Sequence, residues 1–251
     1  MNLAALGAVW RREFDASIGS ALGWTAAGAF VIALHGLFFF LGFPIGELQQ
    51  KGFWAAGLAS LAVAFAWLPL LLIGLAPALS MSAWAEERKS GTEELLLAWP
   101  VPAGSAVLGK FLAGWALLSV VVLLAFVPLA VIVDQLGNLD RGATLGGLFG
   151  ALLLGGACLS LGHLISALCR DQLVAFLLTA LALGTLWSFG QLALYLPPSW
   201  AELAWFVSPQ AHFLDTFARG LFDARDLFFF GSWIAVCLIA TRQVVEARRW
   251  G

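Results

Sequence analysis

Apolar residues fall in six long runs, at about 20–43, 57–79, 105–133, 144–168, 173–196 and 226–242. A helix needs about 20 residues to cross a hydrocarbon core of about 30 Å. The first five runs meet that length. The sixth has a shorter apolar centre, Leu227 to Ala240, and is expected to extend at both ends, with Asp226 and Arg242 near the interfaces. No strand-type alternation is present, so a barrel is not expected. Backbone polar groups in lipid must pair within their own segment, which makes the runs helices. Ahead of them, Leu3, Leu6, Trp10 and Phe14 recur at spacings of three and four, with Arg12 and Asp15 on the other face. This pattern predicts an amphipathic helix over 1–19 lying in the membrane surface, either an elbow that steers the first span or a plain anchor. Six charged residues cluster in the connection 80–104, and a long connection, 197–225, separates the last two runs. The expected architecture is one all-α integral membrane domain over 1–251, with six spans, an amphipathic first helix and a polar loop after the second span.

Composition agrees with that pattern. Hydrophobic residues make up 61% of the 251 positions and charged residues 11%. Soluble domains carry about 25% charged residues, so a water-soluble enzyme, a disordered chain and a disulfide scaffold are excluded. Net charge is −2 and no basic run exceeds two residues, which argues against a nucleic-acid partner. Cys158, Cys169 and Cys237 show no CxxC spacing and read as packing residues. The first twenty residues carry their charges after the apolar positions and do not read as a signal peptide.

Positive residues set the expected orientation. Arg11, Arg12, Arg88, Lys89, Lys110, Arg170, Arg242, Arg248 and Arg249 would share one side; Lys51, Arg141, Arg219 and Arg225 would share the other. Nine against four places both termini and the 80–104 loop in the cytoplasm.

Few polar groups interrupt the spans. His35 lies mid-span in the first and His163 near the cytoplasmic end of the fourth. Intramembrane ionisable residues are functional candidates, although a histidine bonded to a neighbouring helix is the plainer reading. Pro69 and Pro77 in the second span, and Pro128 in the third, mark possible hinges. Gln191 and Tyr195 end the fifth span and either line a path or anchor the interface. Gly142, Gly146 and Gly150, continued by Ala151 and Gly155, form a small-residue stripe suited to close packing within the chain or to a dimer seam.

Enzyme motifs fail on inspection. HExxH and GxSxG are absent, and Cys158 stands where the latter needs its first glycine. Gly104-Ser105-Ala106-Val107-Leu108-Gly109-Lys110-Phe111 approaches a phosphate-binding loop but ends in Phe where Mg²⁺ needs a hydroxyl. It also opens a membrane span, so the chain is not expected to hydrolyse ATP by itself.

The loop after the second span is the informative segment. Between Trp84 and Pro102 stand Glu86, Glu87, Arg88, Lys89, Glu93 and Glu94. Gly91 breaks the helical pattern, and Thr92 is placed to cap a new short helix. Glu93 and Glu94 suit its first turn, Leu95, Leu96 and Leu97 give it an apolar side, and Pro100 and Pro102 stop it. The segment reads as a docking element or as a solvated loop with an interfacial leucine patch.

Glu86-Glu87-Arg88-Lys89-Ser90-Gly91-Thr92-Glu93-Glu94-Leu95-Leu96-Leu97, followed by Pro100-Val101, resembles the signature loop of ABC-2-type permeases, the membrane subunits of ATP-binding-cassette exporters. The branches it most resembles are the gliding-motility-associated permeases and the nitrous-oxide-reductase maturation permeases. Ser208-Pro209-Gln210-Ala211-His212-Phe213, through Gly220 to Asp226, is similar to the former. The resemblance implies a bacterial inner-membrane permease that pairs with a second copy or a paralogue. It implies a separate ATPase subunit that binds ATP and Mg²⁺, none being held in this chain. The coupling role would fall on Glu86, Glu87, Arg88, Gly91, Thr92, Glu93 and Leu95. Residues 197–225 would form outer re-entrant helices, with Trp200, Trp205, Phe206, Phe213 and Phe217 at the interface, and a further periplasmic subunit is possible. Two alternatives remain: a scaffold of an ATPase-driven motility or assembly complex that moves no solute, and a membrane-embedded enzyme.

Overall fold

The computed structural model describes residues 3–42, 53–56, 59–91 and 102–249. The helices are α1 (Leu3–Gly19), α2 (Ala21–Phe40), α3 (Phe53–Ala56), α4 (Ala62–Ser80), α5 (Ser82–Ser90), α6 (Ala103–Leu136), α7 (Arg141–Leu168), α8 (Gln172–Leu192), α9 (Pro198–Val207), α10 (Pro209–Asp215) and α11 (Ala224–Arg249). Short 3₁₀ turns cover Ala193–Tyr195 and Phe217–Arg219. Among the described residues there is no strand. Six segments are long and apolar enough to span a membrane: Gly23–Phe40, Ala62–Ser90, Ala103–Leu136, Arg141–Leu168, Gln172–Leu192 and Ala224–Arg248. The chain is an all-α, multi-pass membrane protein.

α7 is the central helix. Its neighbours include α4, α6, α8 and α11, and its inward positions are mostly small: Gly146, Gly147, Gly150, Ala151, Gly155 and Ala157. Small residues let helices approach closely where lipid supplies no hydrophobic drive between them. A Cβ on Gly147 would collide with the Phe65 ring of α4, and one on Gly155 with Leu118 of α6. Phe65 in turn stacks on Phe126 with ring centroids 4.9 Å apart.

The α9–α10 hairpin and the following turn reach back into the bundle. Phe213 and Phe217 are fully buried against the core that includes Phe65. This corrects the interfacial placement of these two aromatics. Trp200 and Phe206 stay on the surface, at 63% and 62% exposure. The turn fits because its floor is glycine: a Cβ on Gly146 would lie 2.9 Å from the Gly220 Cα, and Gly220 itself adopts φ 76°. Part of the small-residue stripe therefore packs within the chain.

α1 keeps most of its expected face, with Leu6, Trp10 and Phe14 half-buried and Arg12 and Asp15 exposed. Its inward side carries Leu6, Val9, Trp10, Glu13 and Phe14, while Leu3 is 73% exposed. Trp10 and Phe14 stack at 5.2 Å. The helix lies along α6, where Gly109 admits it: a Cβ there would be 2.9 Å from the Val9 Cβ. Glu13, beside this face, turns toward Lys110 of α6.

Candidate functional site

One end of the bundle gathers α1, α5, the start of α6, the end of α7 and the end of α11. Here the second span does not stop at Ser80. Met81 keeps helical dihedrals (φ −59°, ψ −35°), and α5 prolongs the span to Ser90. The first part of what reads as a loop is thus a helical stalk, with Trp84 and Ala85 buried at its base.

Four sets of contacts fix the stalk. Ser166 of α7 reaches its first turn: Oγ donates to the Met81 carbonyl at 2.9 Å and accepts from the Trp84 and Ala85 N–H groups at 3.2 and 3.3 Å. Arg88 donates to the Leu168 and Cys169 carbonyls at 3.2 and 3.4 Å, covering the C-terminal end of α7, where cations suit the helix dipole. Lys89 pairs with Asp171 at 2.9 Å, the residue that caps α8 through the Leu173 N–H. The Lys89 hydrogen bond, aided by that N–H, holds the Asp171 carboxyl below its usual range. This pin is therefore present at neutral pH and is lost only as pH falls through the depressed value.

The fourth set is an ion-pair cluster centred on Lys110 of α6. Its ammonium donates to Glu13 of α1 at 3.2 Å, to Glu87 of α5 at 2.9 Å and to the Ala83 carbonyl at 2.8 Å. It also sits 5.1 Å from the centroid of the Trp84 ring. Arg12 adds a second cation, 3.1 Å from Glu13 and 3.0 Å from Glu87. The Lys110 side chain is only 2% exposed. The lysine of the failed phosphate-binding motif thus lies on a helix and is engaged by two carboxylates.

The sequence-predicted residues distribute as follows. Glu86 is exposed on the stalk, Glu87 joins the Lys110 cluster, and Arg88 holds the end of α7. Gly91 ends α5 in the left-handed region at φ 72°. This αL ending is a frequent way to stop a helix and redirect the chain. Thr92, Glu93 and Leu95 lie outside the described residues. Pro69 and Pro77 are buried within α4. His35 bonds the Val31 carbonyl of its own helix at 2.7 Å. His163 is buried beside Phe111, and neither ring nitrogen has a hydrogen-bond partner among the described residues. A bonded core histidine is thus not what the structure contains there. Gln191 sits at the far end of α8, away from both histidines in sequence and from the stalk.

Sequence reasoning missed Arg12, Glu13, Lys110 and Ser166. Lysine in the first turns of a long apolar helix was the one available signal. Such a charge is costly in lipid unless it faces a partner.

The family model of the ABC-2 family transporter proteins matches residues 8–239, from α1 into α11 and across the stalk. No curated protein matches the chain. With six spans, a braced polar stalk and a match over nearly the whole length, the chain belongs to the ABC-2 family of transporter membrane proteins.

Proposed function

We propose that this chain is the permease subunit of an ABC exporter in a bacterial inner membrane and that α5 carries force from a separate ATPase into the bundle. The stalk is the observation that supports this reading. It prolongs a membrane span, is braced to α1, α6, α7 and the α7–α8 turn, and presents Glu86 outward. Force applied beyond Gly91 would reach four elements through hydrogen bonds and ion pairs rather than through a slack loop. The end bearing the stalk would face the cytoplasm. ATP and Mg²⁺ would be bound by the ATPase, and the permease would pair with a second copy or a paralogue. A ligand or partner shifts such a bundle only by its differential affinity for two conformations.

The test is co-purification of the tagged chain with its ATPase, combined with cargo-stimulated ATP hydrolysis. Glu86→Lys alters an exposed charge and Gly91→Pro alters the exit of the stalk. Each should reduce ATPase recovery or stimulation by about tenfold while membrane insertion stays intact. Full recovery and stimulation in both variants would rule out the stalk as the coupling element. An ATPase that associates but never responds to cargo would favour a scaffold.

A further inference from the structure

The end of the bundle opposite the stalk holds a second polar device. His212 of α10 lies between α9 and α11. Its Nδ1 is 2.6 Å from Oδ1 of Asp226, in the first turn of α11. Its Nε2 is 3.1 Å from the Phe206 carbonyl on α9. The ring stacks on Phe229 of α11 with centroids 4.0 Å apart and planes 22° apart. Side-chain exposure is 11% for His212 and 6% for Asp226.

Proton counting gives this geometry its meaning. A carbonyl oxygen only accepts, so Nε2 must carry a hydrogen. The contact between Nδ1 and the carboxyl needs another, whichever of the two atoms holds it. A neutral imidazole facing a carboxylate has one proton for these two bonds, and the arrangement needs two. Asp226 Oδ2 is buried with no hydrogen-bond partner among the described residues, so the shared proton is what offsets the carboxylate charge.

We propose that His212 and Asp226 form a proton-binding latch that holds the α9–α10 hairpin against α11. With the shared proton bound, three helices are joined through one ring. When that proton is lost, the Nδ1 lone pair faces a buried carboxylate and the hairpin separates from α11. The latch is therefore closed while that proton is bound and opens when it is lost.

Asp215, on α10, pairs with Arg219 at 3.4 Å. Burial raises its carboxyl above the usual range, while Arg219 opposes that. Glu202 on α9, and Asp223 and Arg225 where α11 begins, are exposed. On α7, Arg141 is exposed and pairs with Asp134 at 3.6 Å. α4 and α8 contain no charged residue. Asp215 is thus the competing site for a titrating proton.

The experiment is hydrogen–deuterium exchange of the chain in lipid nanodiscs at about pH 6 and about pH 9, corrected for the intrinsic rate. It needs neither cargo nor ATPase, so its failure is separable from that of the proposed function. Peptides covering 206–216 should lose about tenfold protection at the higher pH. His212→Gln should abolish the difference, since glutamine cannot gain a proton, and Asp226→Asn should do the same. Asp215→Asn should leave it intact. Equal protection of the wild type at both pH values, persistence of the change in His212→Gln, or its loss in Asp215→Asn would each overturn the latch. His212→Gln retains a neutral donor and decides the matter should Asp226→Asn fail to fold.

Discussion

Lys110 has its charge beside Glu13 and Glu87 and its stem in the bundle. Removing it leaves two carboxylates without their main donor, and breaking a buried pair costs about 3–5 kcal/mol. Glu13 and Glu87 are partly accessible, at 21% and 13%, so the lower end applies. Lys110→Met should destabilise the protein by about 3 kcal/mol, read as a fall in melting temperature in detergent. Adding Glu13→Gln and Glu87→Gln should recover most of the loss, because the cation left behind, Arg12, is 63% exposed and held by water. A triple variant as unstable as the single one would show that Lys110 acts through packing. The same residue shows where the sequence was hard to read. Lys110 was visible as a charge entering an apolar helix, but Glu13 lies 97 positions away and Glu87 lies 23 away. Pattern within a window carries no information about such pairs. The Ser166 contacts with the start of α5, across 81 to 85 positions, were hidden for the same reason.

Among elements, the apolar runs made the spans legible because lipid leaves helix as the economical way to satisfy an isolated backbone. Helical continuation from α4 into α5 was less legible. Charged residues look like loop, yet here they lie on a helix whose base is buried and whose charges all face partners or solvent. The return of Phe213 and Phe217 into the core was invisible, since an aromatic at an interface and one filling a gap look alike in sequence. Only the glycines opposite them hinted at a gap. Those glycines carry a prediction. A side chain at Gly146 would meet backbone of the 217–220 turn, which cannot swing aside as a side-chain tip can. Gly146→Val should cost about 1–3 kcal/mol by overpacking and loosen the hairpin. Gly184→Ala on α8, where a Cβ meets nothing within 4 Å, should leave stability unchanged or raise it slightly. Similar melting temperatures for the two variants would show that the turn does not pack as described.

At the scale of the molecule, the two polar devices lie at opposite ends of one bundle. The ion-pair cluster joins α1, α5 and α6 at the end carrying the stalk, and the histidine pair joins α9, α10 and α11 at the other. α7 touches both assemblies: Ser166 meets the stalk, and Gly146 and Gly150 meet the turn behind the hairpin. A displacement of the stalk would thus be felt at the hairpin through a single packed helix. Such coupling needs the stalk on the ATP-containing side, and orientation is measurable. The three native cysteines are buried, so they give little background to a membrane-impermeant thiol reagent. Ser90→Cys at the exposed tip of the stalk should label only from the cytoplasmic side, in inverted vesicles or opened cells. Tyr195→Cys, at a position 83% exposed near the hairpin, should label in intact cells after the outer barrier is permeabilised. The reverse pattern would place the stalk away from ATP. The charge asymmetry of nine against four and the coupling role of α5 would then fall together, because both depend on the same face of the membrane.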